Sequence, residues 1–161
     1  MGNLVTVGIA DLNVAKAPDK LVTYALGSCV GVCLYDKDKK IAGLVHVMLP
    51  LSTEATNGGA DNKRRYADTG IKELVELMVK NGASKFGMTA KIAGGAQMFK
   101  VASSTFNIGE RNVAAVKKVL ASYNIRIVAE DTGLDYGRTQ FFHADTGVME
   151  IRAATKGTKT F

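Results

Sequence analysis

A single α/β (α+β) domain is expected for this chain, on three grounds. Apolar runs of strand length recur along it, and two stretches carry apolar residues at helical spacing. Its 161 residues also suffice to bury one core without disulfides or a structural metal. The two cysteines, Cys29 and Cys33, fall within one strand-like run. Residues so spaced on an extended chain are held too far apart to bridge, and free thiols suit a reducing compartment. The opening MGNLVTVGIADLNVAK has no basic region followed by a long apolar run, and no stretch approaches the roughly 20 apolar residues of a membrane span. A cytoplasmic location without membrane insertion is expected. The net charge of +6 suits acidic partners. The basic residues are nevertheless scattered, apart from Lys63-Arg64-Arg65 and the Lys-rich tail, and no aromatic platform accompanies them, so nucleic acid is not an expected partner.

Residues 4–10, LVTVGIA, read as the first strand, and residues 11–20 as a polar connection. The stretch TYALGSCVGVCLYDKDKKIAGLVHVMLP, residues 23–50, reads as a lead-in and two strands around a charged turn, stopped by Pro50, which lacks a ladder N–H. Residues 51–65 change to Ser, Thr, Asn and Gly without apolar period, which predicts a flexible surface loop. From Tyr66 to Asn81, Ile71, Leu74, Val75 and Met78 recur on one helical face, and Gly82 stands at the expected cap. Residues 88–93 predict a strand running into Gly94-Gly95. Residues 110–123 predict a helix with Val113, Val116, Val119 and Leu120 inward, and residues 125–129 a buried strand. Residues 139–144 and 148–153 flank Asp145-Thr146-Gly147 as a hairpin, and residues 154–161 are expected to fray. No repeat or domain boundary interrupts residues 1–161.

The chemistry is concentrated in the 23–50 stretch. With a four-residue loop at residues 36–39, Cys29 stands opposite His46, where directly paired Cβ atoms lie about 4.5–5.5 Å apart. Val30, Val32, Leu34, Ile41, Val45 and Val47 then form the other, apolar face. A histidine beside a cysteine can take the thiol proton, and the imidazolium then stabilises the thiolate. Leu26-Gly27-Ser28 can bring backbone N–H groups toward a developing oxyanion, and Thr23 is the nearest hydroxyl able to orient the imidazole. Each residue also has an inert reading, since strand cysteines are often buried small hydrophobes and a histidine between valines is often a core residue. Cys33 is assigned to the core outright, because its same-face neighbours offer no base. His143 has no matching thiol and is taken as surface or structural. No zinc spacing, P-loop or dinucleotide fingerprint is present, so no cofactor or metal is expected; Gly94-Gly95 and Asn107-Ile-Gly-Glu read as close packing and a helix start.

Taken together, LGSCVGV, AGLVHVMLP, RYADTGIKELV, AKIAGGAQMF, IGERNVAAV and AEDTGLDYGR closely resemble the CheD family of bacterial and archaeal chemoreceptor glutamine deamidases, in order, over about residues 4–152. The resemblance implies Cys29 as nucleophile, His46 as general base and acid, and Thr23 as the third catalytic residue, orienting His46. It implies a layered sandwich of mixed sheets flanked by helices, similar around the site to the deamidating domain of cytotoxic necrotizing factor. The implied reaction is hydrolysis of chosen glutamine side chains in methyl-accepting chemotaxis receptors, through a thioester, with release of ammonia. The glutamates so made adjust receptor methylation and signalling. The implied partners are receptor cytoplasmic helices and the CheC phosphatase, and methylesterase activity is linked to some members. A non-enzymatic adaptor binding CheC and receptors, and a related thiol amidase or transamidase acting on another substrate, remain open as alternatives. The chain departs from many members in carrying Gly133-Leu134 where they have two glycines, away from the three catalytic positions.

Overall fold

The computed structural model describes residues 2–54, 62–98 and 107–161. Among the described residues, ten strands and two α-helices succeed one another as β1 (Leu4–Thr6), β2 (Leu12–Lys16), β3 (Lys20–Leu26), β4 (Val30–Asp36), β5 (Ile41–Val47), α1 (Ala67–Lys80), β6 (Met88–Gly94), α2 (Ile108–Ser122), β7 (Arg126–Thr132), β8 (Arg138–His143), β9 (Met149–Ala153) and β10 (Gly157–Thr160). Two five-stranded sheets result, ordered β1-β3-β8-β9-β10 and β2-β5-β4-β6-β7. The β1/β3 and β6/β7 pairs are parallel and the others antiparallel, so both sheets are mixed.

Side-chain alternation sorts the second sheet into two cores. Val30, Val32, Leu34, Ile41, Val45, Val47 and Ile92 pack with Ile71, Leu74, Met78, Val116 and Leu120 of the helices. On the reverse face Cys33, Tyr35, Ala42, Leu44 and Ala93 pack with Leu21, Phe142, Met149 and Ile151 of the first sheet. The layers are therefore first sheet, second sheet, helices, which is the layered α+β sandwich the resemblance implied. The helices form where periodicity placed them. Asn81 and Gly82, at φ +108°, close α1. At the start of α2, Asn107 Oδ1 accepts the Glu110 N–H while its Nδ2 donates to Glu110 Oε2, a side-chain cap on both groups.

Five expectations need correction. The strand expected to be buried at residues 125–129 is β7, an edge strand without a buried residue, in which Val128 is exposed and only the preceding Ile125 is buried. The polar connection contains β2, an edge strand that buries only Leu12 and Ala15 against its neighbours while Asn13 and Lys16 stay exposed, so it has little apolar signal to read. β3 does not continue into the hairpin's sheet but belongs to the other one. The expected fraying of residues 154–161 is replaced by β10, which pairs along β9, and Phe161 exchanges both main-chain bonds with Met149. Finally, the hairpin loop comprises residues 37–40, so Asp36 pairs with Ile41 and Gly31, not Cys29, lies opposite His46. The buried Asp36 carboxylate causes this: Oδ1 accepts from the Asp38 and Lys39 N–H groups and Oδ2 from Ser84 N–H, holding the residue inside the strand end.

The stretch expected to be a flexible loop includes single 3-10 turns at Ser52–Glu54 and Lys63–Arg65, and residues 55–61 lie outside the described ones. Ser52 is tied through its N–H and hydroxyl to Asp68, and Arg64 pairs with Asp11 and Glu73. Within the basic run, Arg64 is thus engaged by carboxylates of its own chain.

Candidate active site

β3 ends irregularly. Its register with β8 slips between Thr23 and Leu26, and Ala25 takes a positive φ of 60°, an uncommon conformation for a residue with a Cβ. The chain then crosses from the first sheet to the second through Gly27, Ser28 and Cys29 before entering β4. Thr23 consequently sits on the first sheet, His46 on the second, and Cys29 at the crossing between them.

Thr23 and His46 are both fully buried and are joined by a 2.7 Å hydrogen bond between Oγ1 and Nδ1. The threonine hydroxyl has one proton, and it donates that proton to the Val7 carbonyl at 2.8 Å. The Nδ1–H must therefore be the donor to Oγ1. This fixes the neutral imidazole with its proton on Nδ1 and an unprotonated Nε2, and Nε2 has no hydrogen-bond partner among the described residues. A buried nitrogen lone pair without a partner is the attribute a general base needs.

Cys29 is a free, half-buried thiol at the edge of the inter-sheet core. It immediately precedes the last paired residue, Val30, and by strand alternation lies on the same side of the sheet as Gly31 and His46. Burial pushes the Cys29 thiol above its ordinary value and His46 down to about 4. The resting pair is neutral thiol and neutral imidazole, in contrast to the thiolate–imidazolium pair that the sequence suggested. The face carrying Gly31 and His46 is also not open, as it is covered by the first sheet.

Two residues at the site were missed. Gln140, paired with Thr23 across β3/β8, is fully buried and donates through Nε2 to the Gly31 carbonyl at 3.2 Å. A Cβ at Gly31 would overlap Gln140 Oε1 and approach its Cδ to 2.8 Å, so any larger residue opposite His46 requires the buried Gln140 amide to move. Asn112 of α2, also fully buried, donates through Nδ2 to the Ser28 and Met48 carbonyls, each at 2.9 Å. Both left a trace in the sequence, an amide at an inward position of an apolar stripe. Gln140 alternates with Phe142 and Ala144, and Asn112 stands one helical turn before Val116.

Cys33 is fully buried in the core between the sheets, as expected, and burial raises its thiol well above the usual range, with the Lys91 ammonium opposing. His143 Nε2 stands 3.6 Å from Glu150 Oε1, a partly exposed pair distant in the sheet from Thr23. No cluster of three or more potential metal ligands occurs among the described residues. A cavity of about 450 Å³ shares Gly95 with the support of the crossing and is lined further by Gln97, Glu110, Lys117, Thr132 and Leu134. No helix among the described residues is long and apolar enough to cross a membrane.

Among solved structures, the fold is similar to a Neisseria meningitidis protein of family DUF152, with TM-score 0.53, 11% identity, and coverage of 83% of this chain and 64% of that one. It is also similar to the Bacillus licheniformis hypothetical protein YfiH, with TM-score 0.50, 15% identity, and coverage of 78% and 51%. At such identities the likeness concerns the fold. Sequence relatives are much nearer. The chain is 49% identical over 161 residues to the probable chemoreceptor glutamine deamidase CheD of Lachnoclostridium phytofermentans, covering 99% of each. It is 48% identical over 159 residues to the chemoreceptor glutamine deamidase CheD of Bacillus velezensis, covering 98% of this chain and 95% of that one. The corresponding Bacillus subtilis protein is 45% identical, with the same coverage. The family model described as CheD chemotactic sensory transduction matches residues 48–153. The chain belongs to the CheD family.

Proposed function

We propose that this protein deamidates glutamine side chains of methyl-accepting chemotaxis receptors in the cytoplasm, with Cys29 as nucleophile, His46 as base and acid, and Thr23 as the residue that orients His46. The observation that carries the reading is the Val7–Thr23–His46 chain of hydrogen bonds. It spends the threonine proton on a carbonyl and so presents Nε2 unprotonated.

In this scheme the Cys29 sulfur attacks the carboxamide carbon while His46 Nε2 takes the thiol proton. The neutral resting pair makes this a proton transfer concerted with attack, with the charge that develops on the carboxamide oxygen offsetting the cost of a buried imidazolium. Collapse of the tetrahedral intermediate breaks the C–N bond. The nitrogen leaves as ammonia with the proton from His46, and a thioester remains on Cys29. Water, deprotonated by the same Nε2, then cleaves the thioester, releases glutamate and returns the proton to sulfur. No cofactor enters this balance. A basic surface suits receptor helices rich in acidic residues, and CheC is the proposed regulatory partner.

Mass spectrometry of receptor cytoplasmic helices tests this. Wild type should convert chosen glutamines to glutamates with loss of ammonia, and Cys29→Ala should convert none. Full activity in Cys29→Ala would end the proposal and leave the adaptor role in its place.

A further inference from the structure

All three carbonyls of the crossing segment are occupied from outside. Gly27 O accepts from Ala96 N–H and Cys29 O from Gly95 N–H, each at 2.8 Å, and between them Ser28 O accepts from Asn112 Nδ2 at 2.9 Å. A planar trans peptide points its N–H opposite to its C=O, so fixing Ser28 O on Asn112 also fixes the direction of the Cys29 N–H. It points opposite to the bond that Ser28 O accepts from Asn112. In an antiparallel ladder the residue that donates to Cys29 O would also accept from Cys29 N–H, and that residue is Gly95. Gly95 instead turns at φ +65°, and its carbonyl lies against α2, where a Cβ on Gly109 would contact it. The Cys29 N–H therefore has no protein acceptor among the described residues.

We propose that Asn112 is a positioning residue that holds this unpaired Cys29 N–H in place as a donor to the oxyanion of the reaction. The inference rests on the deamidase reading above and goes beyond it, because it assigns a role to a helix residue that never touches substrate. Asn112 also takes the Met48 carbonyl, so one amide group spans the fork where the strands carrying Cys29 and His46 part. The orientation of the amide is determined by its partners: two carbonyls can face only Nδ2, which leaves Oδ1 buried without a partner among the described residues. Retaining that orphan for the sake of two bonds at the fork marks the contact as one kept for position.

The test separates oxyanion chemistry from thiol chemistry. Acylation by p-nitrophenyl acetate forms the S–C bond through an oxyanion, expels p-nitrophenolate and gives the thiol proton to the base. Alkylation by iodoacetamide at the same sulfur passes through no oxyanion. Both rates are measured at one pH, with Cys29→Ala as the blank, in wild type and in Asn112→Ala. Acylation should fall roughly tenfold or more, with alkylation changed by less than about twofold. An equal fall in both rates, meaning that the thiol itself has moved, or no fall in either, overturns the proposal. If Asn112→Ala does not fold, Asn112→Ser, which keeps one donor on a shorter arm, carries the same comparison with the same overturning outcomes. Neither rate requires a receptor. Failure of the deamidase reading would show separately, as wild type that leaves receptor glutamines intact.

Discussion

At the scale of single residues the site depends on one hydroxyl proton. Thr23 can accept from His46 only because its own proton is spent on Val7, so Thr23→Val removes the orienting acceptor and strands the Val7 carbonyl and Nδ1 together. Its cost in stability should be about 1–3 kcal/mol by denaturant unfolding. Deamidation should fall roughly 10- to 100-fold, while Thr23→Ser keeps most of it. Burial makes a second prediction about Cys29. Iodoacetamide labelling should be slow at neutral pH and accelerate as pH rises past the ordinary thiol range, with Cys33 resistant throughout, as peptide mapping of alkylated sites would show. The sequence suggests instead a thiolate stabilised by an imidazolium, because adjacency of thiol and imidazole is legible in a sequence but desolvation by a second sheet is not.

At the scale of elements, the fit between β4, β5 and β8 is set by Gly31 and Gln140. Gly31→Ala should destabilise by about 1–3 kcal/mol through overpacking. Adding Gln140→Ala should recover much of that loss, since the amide the new methyl strikes is gone. A double-mutant cycle measures the coupling, and additivity would show that the two do not share the space. Element existence was largely readable: both helices and the strands at residues 88–93 and 139–153 follow from apolar spacing. The β4/β5 register was not, because a buried aspartate in a run of charged residues looks like loop. Asp36 joins β4 and Lys40 drops out of β5, so the pairing moves by two residues and the faces are preserved. For that reason Cys29 and His46 were correctly placed on one side while their direct opposition was wrong. Asn112 was overlooked because an asparagine early in a helix reads as cap chemistry, and its carbonyl partners come from segments more than sixty residues away.

At the scale of the whole molecule, burying neutral His46 links folding to protons. The unfolded chain protonates this imidazole near pH 6.5 and the folded one only near 4, so between those values the unfolded state holds more protons. Stability from this group is present above pH 6.5 and is lost as pH falls toward 4, by about 2 kcal/mol between pH 7 and 5. Urea midpoints should decline over that range in wild type and decline less in His46→Asn. The three-layer arrangement itself could not be read from periodicity, which shows that a strand has an apolar face but not which sheet it joins. β3 illustrates this, since it is adjacent in sequence to β4 and lies in the other sheet. That separation has a consequence for how the enzyme comes into being. The oriented imidazole exists only when Thr23 of one sheet meets His46 of the other, so in the proposed mechanism catalytic competence does not arise in either half alone. A nascent or refolding chain, whatever its strand content, carries a thiol with no poised base until the two sheets close on each other. Recovered deamidation is thus a readout of that closure, and in a refolding time course it should never run ahead of it.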